Sequence, residues 1–194
     1  MSYYILKCLG YLLYRFRAGE DNLLCNQQFL SEIPRNVEIT SDQFADGEQL
    51  PLDNTMYGKN LCPSLSIKAP KVEGAKSIAL LVEDSDVPLL SPAVHLFAFD
   101  IDKHGASFEE GELNKPKEGK YKLGKGTLGV VGFFGPRPPP AHGTHKYTFT
   151  AFLLDETGTK ELSEVDKPSI TELTEVVKKG CLGMGTLLGT YEVK

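Results

Sequence analysis

Three stretches of the chain carry residue types that could do chemistry. Asp84-Ser-Asp86-Val-Pro88 sets two carboxylates two positions apart and closes them with a proline. Such a segment caps a turn, or it serves as a functional pair, because binding residues gather on loops held by a rigid scaffold. His142-Gly-Thr-His145 places two imidazoles three positions apart. Zinc could be ligated there if Asp84, Asp86 or His95 completed the set. Pro138, Pro139 and Pro140 ahead of the pair, and Gly143-Thr144 within it, exclude the helical two-histidine zinc arrangement. The alternative is a turn histidine and a strand-start histidine making ordinary hydrogen bonds. No metal is expected.

Gly124-Lys-Gly-Thr-Leu-Gly129 matches the glycine pattern of dinucleotide-binding folds. That chemistry needs the glycines to follow a strand and open a helix, so that helix N–H groups meet a pyrophosphate. Here they follow a charged loop and run into Val130-Val-Gly-Phe-Phe-Gly-Pro136, where Gly132, Gly135 and Pro136 oppose a helix. No acidic residue stands about 20 positions on to hold a ribose. The glycines read as a flexible loop, and no nucleotide or other cofactor is expected. No G-x-S-x-G elbow occurs, which removes support for a serine hydrolase of that type.

The elements that must position these residues are mostly strands. Val37–Thr40, Ser64–Ile67, Ser77–Val82, Val94–Ile101 and Tyr147–Leu154 all read as extended, separated by Gly, Pro, Asn and Asp clusters. Ser77-Ile-Ala-Leu-Leu-Val82 is nearly all apolar, as a strand buried on both faces should be, and Asp84 follows it directly. Ser169 and Glu172 form a capping box ahead of Ile170, Leu173, Val176 and Val177, with Lys178, Lys179 and Gly180 closing that helix. Leu187–Val193 returns as a strand or continues the helical region. Strands without regularly alternating helices exclude a doubly wound parallel sheet. At the other end, Ile5, Cys8, Leu9, Leu12, Leu13 and Phe16 form one face of an amphipathic helix. It is expected to pack on its own domain or on a second subunit, with a membrane surface as the alternative.

With 194 residues, 41% hydrophobic and 24% charged, the chain suits one globular domain with a terminal extension. The division expected is a helical extension over 1–35 and a domain over 36–194. A net charge of −5 argues against nucleic acid as the main partner. Cys8, Cys25, Cys62 and Cys181 are far apart and contain no C-x-x-C pair, so neither a zinc ribbon nor a thioredoxin-like site is indicated. The apolar N-terminal run is broken by Lys7, followed by Arg15 and Arg17, and too short to span a bilayer. A cytoplasmic protein without a transmembrane segment is expected.

The order of the pieces is more specific than any one of them. Asp84-x-Asp86-x-Pro88, then His95 in an apolar strand, then Gly132-Phe-Phe-Gly-Pro-Arg-Pro-Pro139, then Gly143-x-His145-x-Tyr147 resembles the phosphatidylethanolamine-binding (Raf-kinase-inhibitor-like) family. The likeness runs from about Thr40 to Tyr191 and is greatest to the bacterial and fungal (YbhB/YbcL-like) branch. Ser85 stands where that family has a proline, and Arg137 where cysteine or glycine is common. Gly180-Cys-Leu-Gly-Met-Gly185 is richer in glycine than the family's closing helix.

The resemblance implies a mainly β fold, an antiparallel core with peripheral helices at both chain ends, and a small anion-binding cavity. Its ligand-binding residues would be Asp84, Asp86, Pro88, His95, Gly135, Pro138, Pro139, His145 and Tyr147. Asp84 would orient a histidine; His95, His145 and the Tyr147 hydroxyl would donate to phosphate or carboxylate oxygens; the prolines would wall the pocket; Asp86 would brace its rim. The function implied is binding of a phospholipid head group or another small phosphorylated or carboxylated ligand. Partners implied are a kinase or a protease, and the chain itself leaves room for pairing with a second copy. An enzyme using Asp, His and Tyr for general acid–base work on a small metabolite is the alternative.

Overall fold

The computed structural model describes residues 3–193. Helix α1 (Tyr3–Leu13) leads into single helical turns between residues 20 and 30, then strands β1 (Glu38–Thr40), β2 (Leu65–Lys68), β3 (Ala75–Asp84), β4 (Ala93–Asp102), β5 (Gly105–Phe108) and β6 (Lys122–Leu123). The chain closes with β7 (His145–Asp155), α2 (Glu156–Glu164), α3 (Ile170–Gly180) and β8 (Cys181–Tyr191). The fold is mainly β. One antiparallel sheet runs β6-β4-β3-β7-β8 and a smaller one runs β1-β2-β5.

β3 is central in the larger sheet, which is why its sequence reads apolar throughout. Ile78, Leu80 and Val82 face the smaller sheet, where Ile39, Ile67 and Phe108 meet them. Ala79 and Leu81 face the opposite layer, made by α2, α3 and the 23–30 segment, through Leu24, Leu30, Leu162, Leu173 and Val177. Because successive strand residues alternate faces, the last two carboxylates of β3 part company. Glu83 turns to the helical layer and accepts the Leu24 N–H at 3.1 Å, while Asp84 turns to the other side.

α3 begins with the expected capping box, the Ser169 N–H donating to Glu172 at 2.7 Å. α2 escapes the sequence pattern because it buries little beyond Gly158 and Leu162. It is set by Asp155, which caps Gly158 N at 2.7 Å. The C-terminal alternatives resolve to a strand: the glycine-rich stretch after Gly180 is β8, paired along β7, and the closing helix that the family pattern implied is not formed there. Its glycines make room for backbone, since a Cβ on Gly185 would lie 1.7 Å from the Val37 carbonyl oxygen. The N-terminal helix meets the domain on one side and turns most of its apolar residues outward. Ile5, Cys8, Leu9, Leu12 and Phe16 are exposed, and α1 meets the domain through Gly10, where a Cβ would stand 2.0 Å from the Pro140 carbonyl oxygen. Among the described residues no helix is long and apolar enough to cross a membrane.

Candidate functional site

The site forms where three neighbouring strands of the larger sheet end together. β3 delivers Asp84 as its last residue, directly opposite Tyr147 of β7 and Ala93 of β4. β7 starts with His145. In β4 the register slips between Leu96, opposite Val82, and Val94, opposite Glu83, so His95 is the unpaired residue of a bulge. Bulges re-aim a side chain beside a site, and this one is fixed by a second clamp. Phe134 N–H donates to the His95 carbonyl at 2.8 Å, and the Phe134 carbonyl accepts from His95 Nδ1.

That clamp sets the chemistry of His95. A carbonyl only accepts, so Nδ1 carries the proton and Nε2 presents a lone pair whenever the ring is neutral. Nε2 lies 3.9 Å from Asp84 Oδ2. Burial lowers the His95 pKa; the Asp84 carboxylate and the Phe134 carbonyl push it up, and His145 adds to the lowering. Asp84 itself is held by His145 Nδ1 at 2.8 Å on Oδ2 and by the Asp86 N–H at 2.8 Å on Oδ1. The other ring nitrogen of His145 is taken as well, lying 2.7 Å from His142 Nδ1. His142 Nε2 continues the chain to the Leu13 carbonyl at the end of α1, at 2.9 Å.

Asp86 turns away from the cavity. It pairs with Arg17 and accepts the Lys146 N–H at 2.8 Å, tying the turn after β3 to β7. Arg17 also donates to the His142 carbonyl at 2.9 Å and the Thr144 carbonyl at 3.0 Å, so one side chain closes the loop ahead of β7.

A cavity of about 330 Å³ opens over Asp84, His95 and His145. Its walls are apolar, from Val87, Pro88, Leu89, Val94, Phe134, Pro138 and Pro139, with Thr127, Leu128 and exposed Arg137 at the edge. Pockets of this size with few polar groups take small ligands with a substantial apolar part. Leu128 is 96% exposed and in the left-handed region at φ 61°, a conformation that costs roughly 1 kcal/mol for a residue with a side chain. The glycine run 124–129 makes one short turn there and opens no helix.

Of the residues expected to gather, Asp84, Pro88, His95, Pro138, Pro139 and His145 line the cavity; Asp86, Gly135 and Tyr147 do not. Gly135 instead donates its N–H to Asn60 at 2.7 Å, packed where a Cβ would touch Asn54 and Thr55. Tyr147 is buried behind His95, its ring edge-on at 5.2 Å. Its hydroxyl lies close to Asp84 without a well-formed hydrogen bond, and burial, then that carboxylate, raises its pKa well above the usual value. The expectation that His145 and Tyr147 both donate to a ligand is therefore corrected: both nitrogens of His145 are engaged and Tyr147 is a backing residue. Sequence reasoning missed the roles of His142 and Arg17. The spacing from His145 flagged His142 only as a metal candidate or a turn residue, and nothing in sequence links Arg17 to Asp86. Among the described residues no group of three or more His, Cys, Asp or Glu could hold a metal ion.

Residues 40–192 match the family model described as phosphatidylethanolamine-binding protein. A UPF0098 protein of Aquifex aeolicus is 32% identical over 69% of this chain and 77% of its own length. A fungal protein named phomoidride biosynthesis cluster protein B is 30% identical over 95% of this chain and 92% of its own. The crystal structure of Escherichia coli YbcL, titled a new member of the mammalian PEBP family, superposes with a TM-score of 0.70 at 25% identity, covering 82% of this chain and 99% of YbcL. With the family's ordered motif, its fold and its model all spanning most of the sequence, the chain belongs to the phosphatidylethanolamine-binding protein family.

Proposed function

We propose that the chain is a binding protein for a phospholipid head group or another small phosphorylated or carboxylated ligand, seated between Asp84 and His95. One observation carries this reading: an otherwise apolar cavity converges on Asp84 Oδ2 and His95 Nε2, 3.9 Å apart. Two acceptors that close select a ligand group carrying N–H or O–H, such as an ammonium or a protonated acid. Arg137 at the rim suits the anionic oxygens, and the proline and valine walls suit hydrocarbon. A ligand with a fixed negative charge and no donor has a second route, taking His95 as its imidazolium.

The test is calorimetric titration with O-phosphorylethanolamine and with butanesulfonate. Binding in the native chain that is lost in both Asp84→Asn and His95→Gln, each folded by circular dichroism, supports the reading. Binding that survives both substitutions refutes it.

A second reading is favoured by the unprotonated His95 Nε2 facing an apolar cavity, the arrangement of a general base. The fungal relative, named for a biosynthesis cluster and matched over almost the whole chain, points the same way. Turnover of a small metabolite that disappears in His95→Gln would place this reading first.

A further inference from the structure

We propose that His142 and His145 share one extra proton, and that this proton fastens the N-terminal helix to the end of the larger sheet. The inference comes from counting protons in a buried chain of hydrogen bonds. Asp84 Oδ2, His145, His142 and the Leu13 carbonyl are joined by three contacts of 2.8, 2.7 and 2.9 Å. Both ends are acceptors: the Leu13 oxygen cannot donate, and an ionised carboxylate cannot either. Three bonds need three protons on four ring nitrogens. Two neutral imidazoles bring two. The intact chain therefore holds one proton more, which makes the histidine pair cationic and balances Asp84 to zero net charge. If the proton sits on Asp84 instead, the count and the total charge are the same.

The charges around the pair set where that proton rests. Asp84 and His95 face it from β3 and β4, Tyr147 from β7, and Arg17, bonded to the His142 carbonyl and to Asp86, from the segment after α1. Tyr14 packs against Gly143 and Arg17, Lys146 beside His145 pairs with Glu20, and Glu192 takes the Thr144 hydroxyl. Arg17 and Lys146 oppose a cation near His142, while Asp84 favours one on the His145 side. Burial and the neighbouring His145 both lower the His142 pKa, in keeping with that distribution.

When the proton leaves, one of the three contacts must become two lone pairs facing each other. Asp84 and His145 are fixed in paired strands of the larger sheet. The Leu13 carbonyl is at the end of a helix whose apolar residues are mostly exposed and whose Gly10 packs on the Pro140 carbonyl. The contact that gives way is the one to α1. Helix docking then strengthens as pH falls and weakens as pH rises, independently of what the cavity binds.

Amide hydrogen exchange of the full chain, corrected for intrinsic rates and compared between pH 5.5 and pH 8.5, tests this. Amides of α1 and of residues 14–18 should lose about tenfold in protection at the higher pH, as expected for one hydrogen bond to a charged group, while β3 and β7 amides stay constant. His142→Phe should leave α1 weakly protected at both pH values. Asp84→Asn, which removes the balancing charge, should shift the wild-type transition to lower pH by about one unit or more. Equal protection of α1 at both pH values, no protection at either, or an unchanged transition in folded Asp84→Asn would overturn the proposal.

Discussion

Butanesulfonate should bind more weakly as pH rises, and His95 should set the slope. The sulfonate keeps its charge at every pH used, so the ligand adds no titration of its own. His95 offers it a donor only as imidazolium, because the Phe134 carbonyl holds Nδ1–H and leaves Nε2 as a lone pair in the neutral ring. Burial, outweighing Asp84, puts the His95 pKa below its ordinary value of 6.5. Above that pKa each bound sulfonate must bring one proton onto His95, so affinity falls about tenfold per pH unit, roughly 1.4 kcal/mol. Calorimetry at pH 6, 7 and 8, in buffers of different ionisation enthalpy, reads both the slope and the protons taken up. About one proton per sulfonate is expected at pH 7 and 8, falling to none in any residual binding by His95→Gln. A ligand with a primary ammonium, such as butylamine, should keep a flat affinity over the same range, because it needs Nε2 unprotonated and above the His95 pKa the nitrogen already is. An affinity for butanesulfonate that is flat with pH, or a slope that persists in His95→Gln, would refute the tautomer argument.

The second carboxylate at the end of β3 gives a prediction about stability. Burial pushes Glu83 up from 4.5 to about 7, against a single hydrogen bond from Leu24 N–H that lowers it. The native state then holds a proton that the unfolded chain releases, so stability should fall by about 3 kcal/mol as pH rises from about 4.5 to about 7. Urea melts of Glu83→Gln should lack that decline and show a gain over the native chain at pH 8; parallel pH curves would contradict it. Gly185→Ala should lose several kcal/mol in chemical denaturation, since its Cβ would fall 1.7 Å from the Val37 oxygen and β1 would have to part from β8. A change below 0.5 kcal/mol would count against that close approach. Of the four free cysteines only Cys8 is exposed, so Ellman's reagent should titrate one thiol quickly and three only on unfolding.

What was legible in the sequence follows from what each signal depends on. The central strand was readable because burial on both faces leaves an uninterrupted apolar run from Ile78 to Val82, and the capping box of α3 because its bonds are local. α2 was hidden, since a helix that buries only Gly158 and Leu162 has no apolar period to show. Which side of α1 meets the domain was hidden for a related reason. Periodicity reports that a face is apolar, whereas the side that packs was decided by Gly10 against Pro140, a contact 130 residues away in the chain.

At the site, residue types and order located Asp84, His95 and His145. Their roles depend on which ring nitrogen meets which acceptor, and that information lies in tertiary contacts. The Phe134 clamp fixes the His95 tautomer across 39 positions, and His142 occupies the nitrogen that a ligand was expected to use.

The most direct test of the central claim is nitrogen-15 NMR of the four histidine side chains during titration with O-phosphorylethanolamine at pH 7. Three of them stand at the site and His104 stands at the turn between β4 and β5, lining a different pocket. The account predicts a free-state His95 protonated at Nδ1, a saturable shift of its Nε2, and no shift at His104. Saturable shifts at His104 with His95 unmoved, or a free His95 protonated at Nε2 instead, would contradict it.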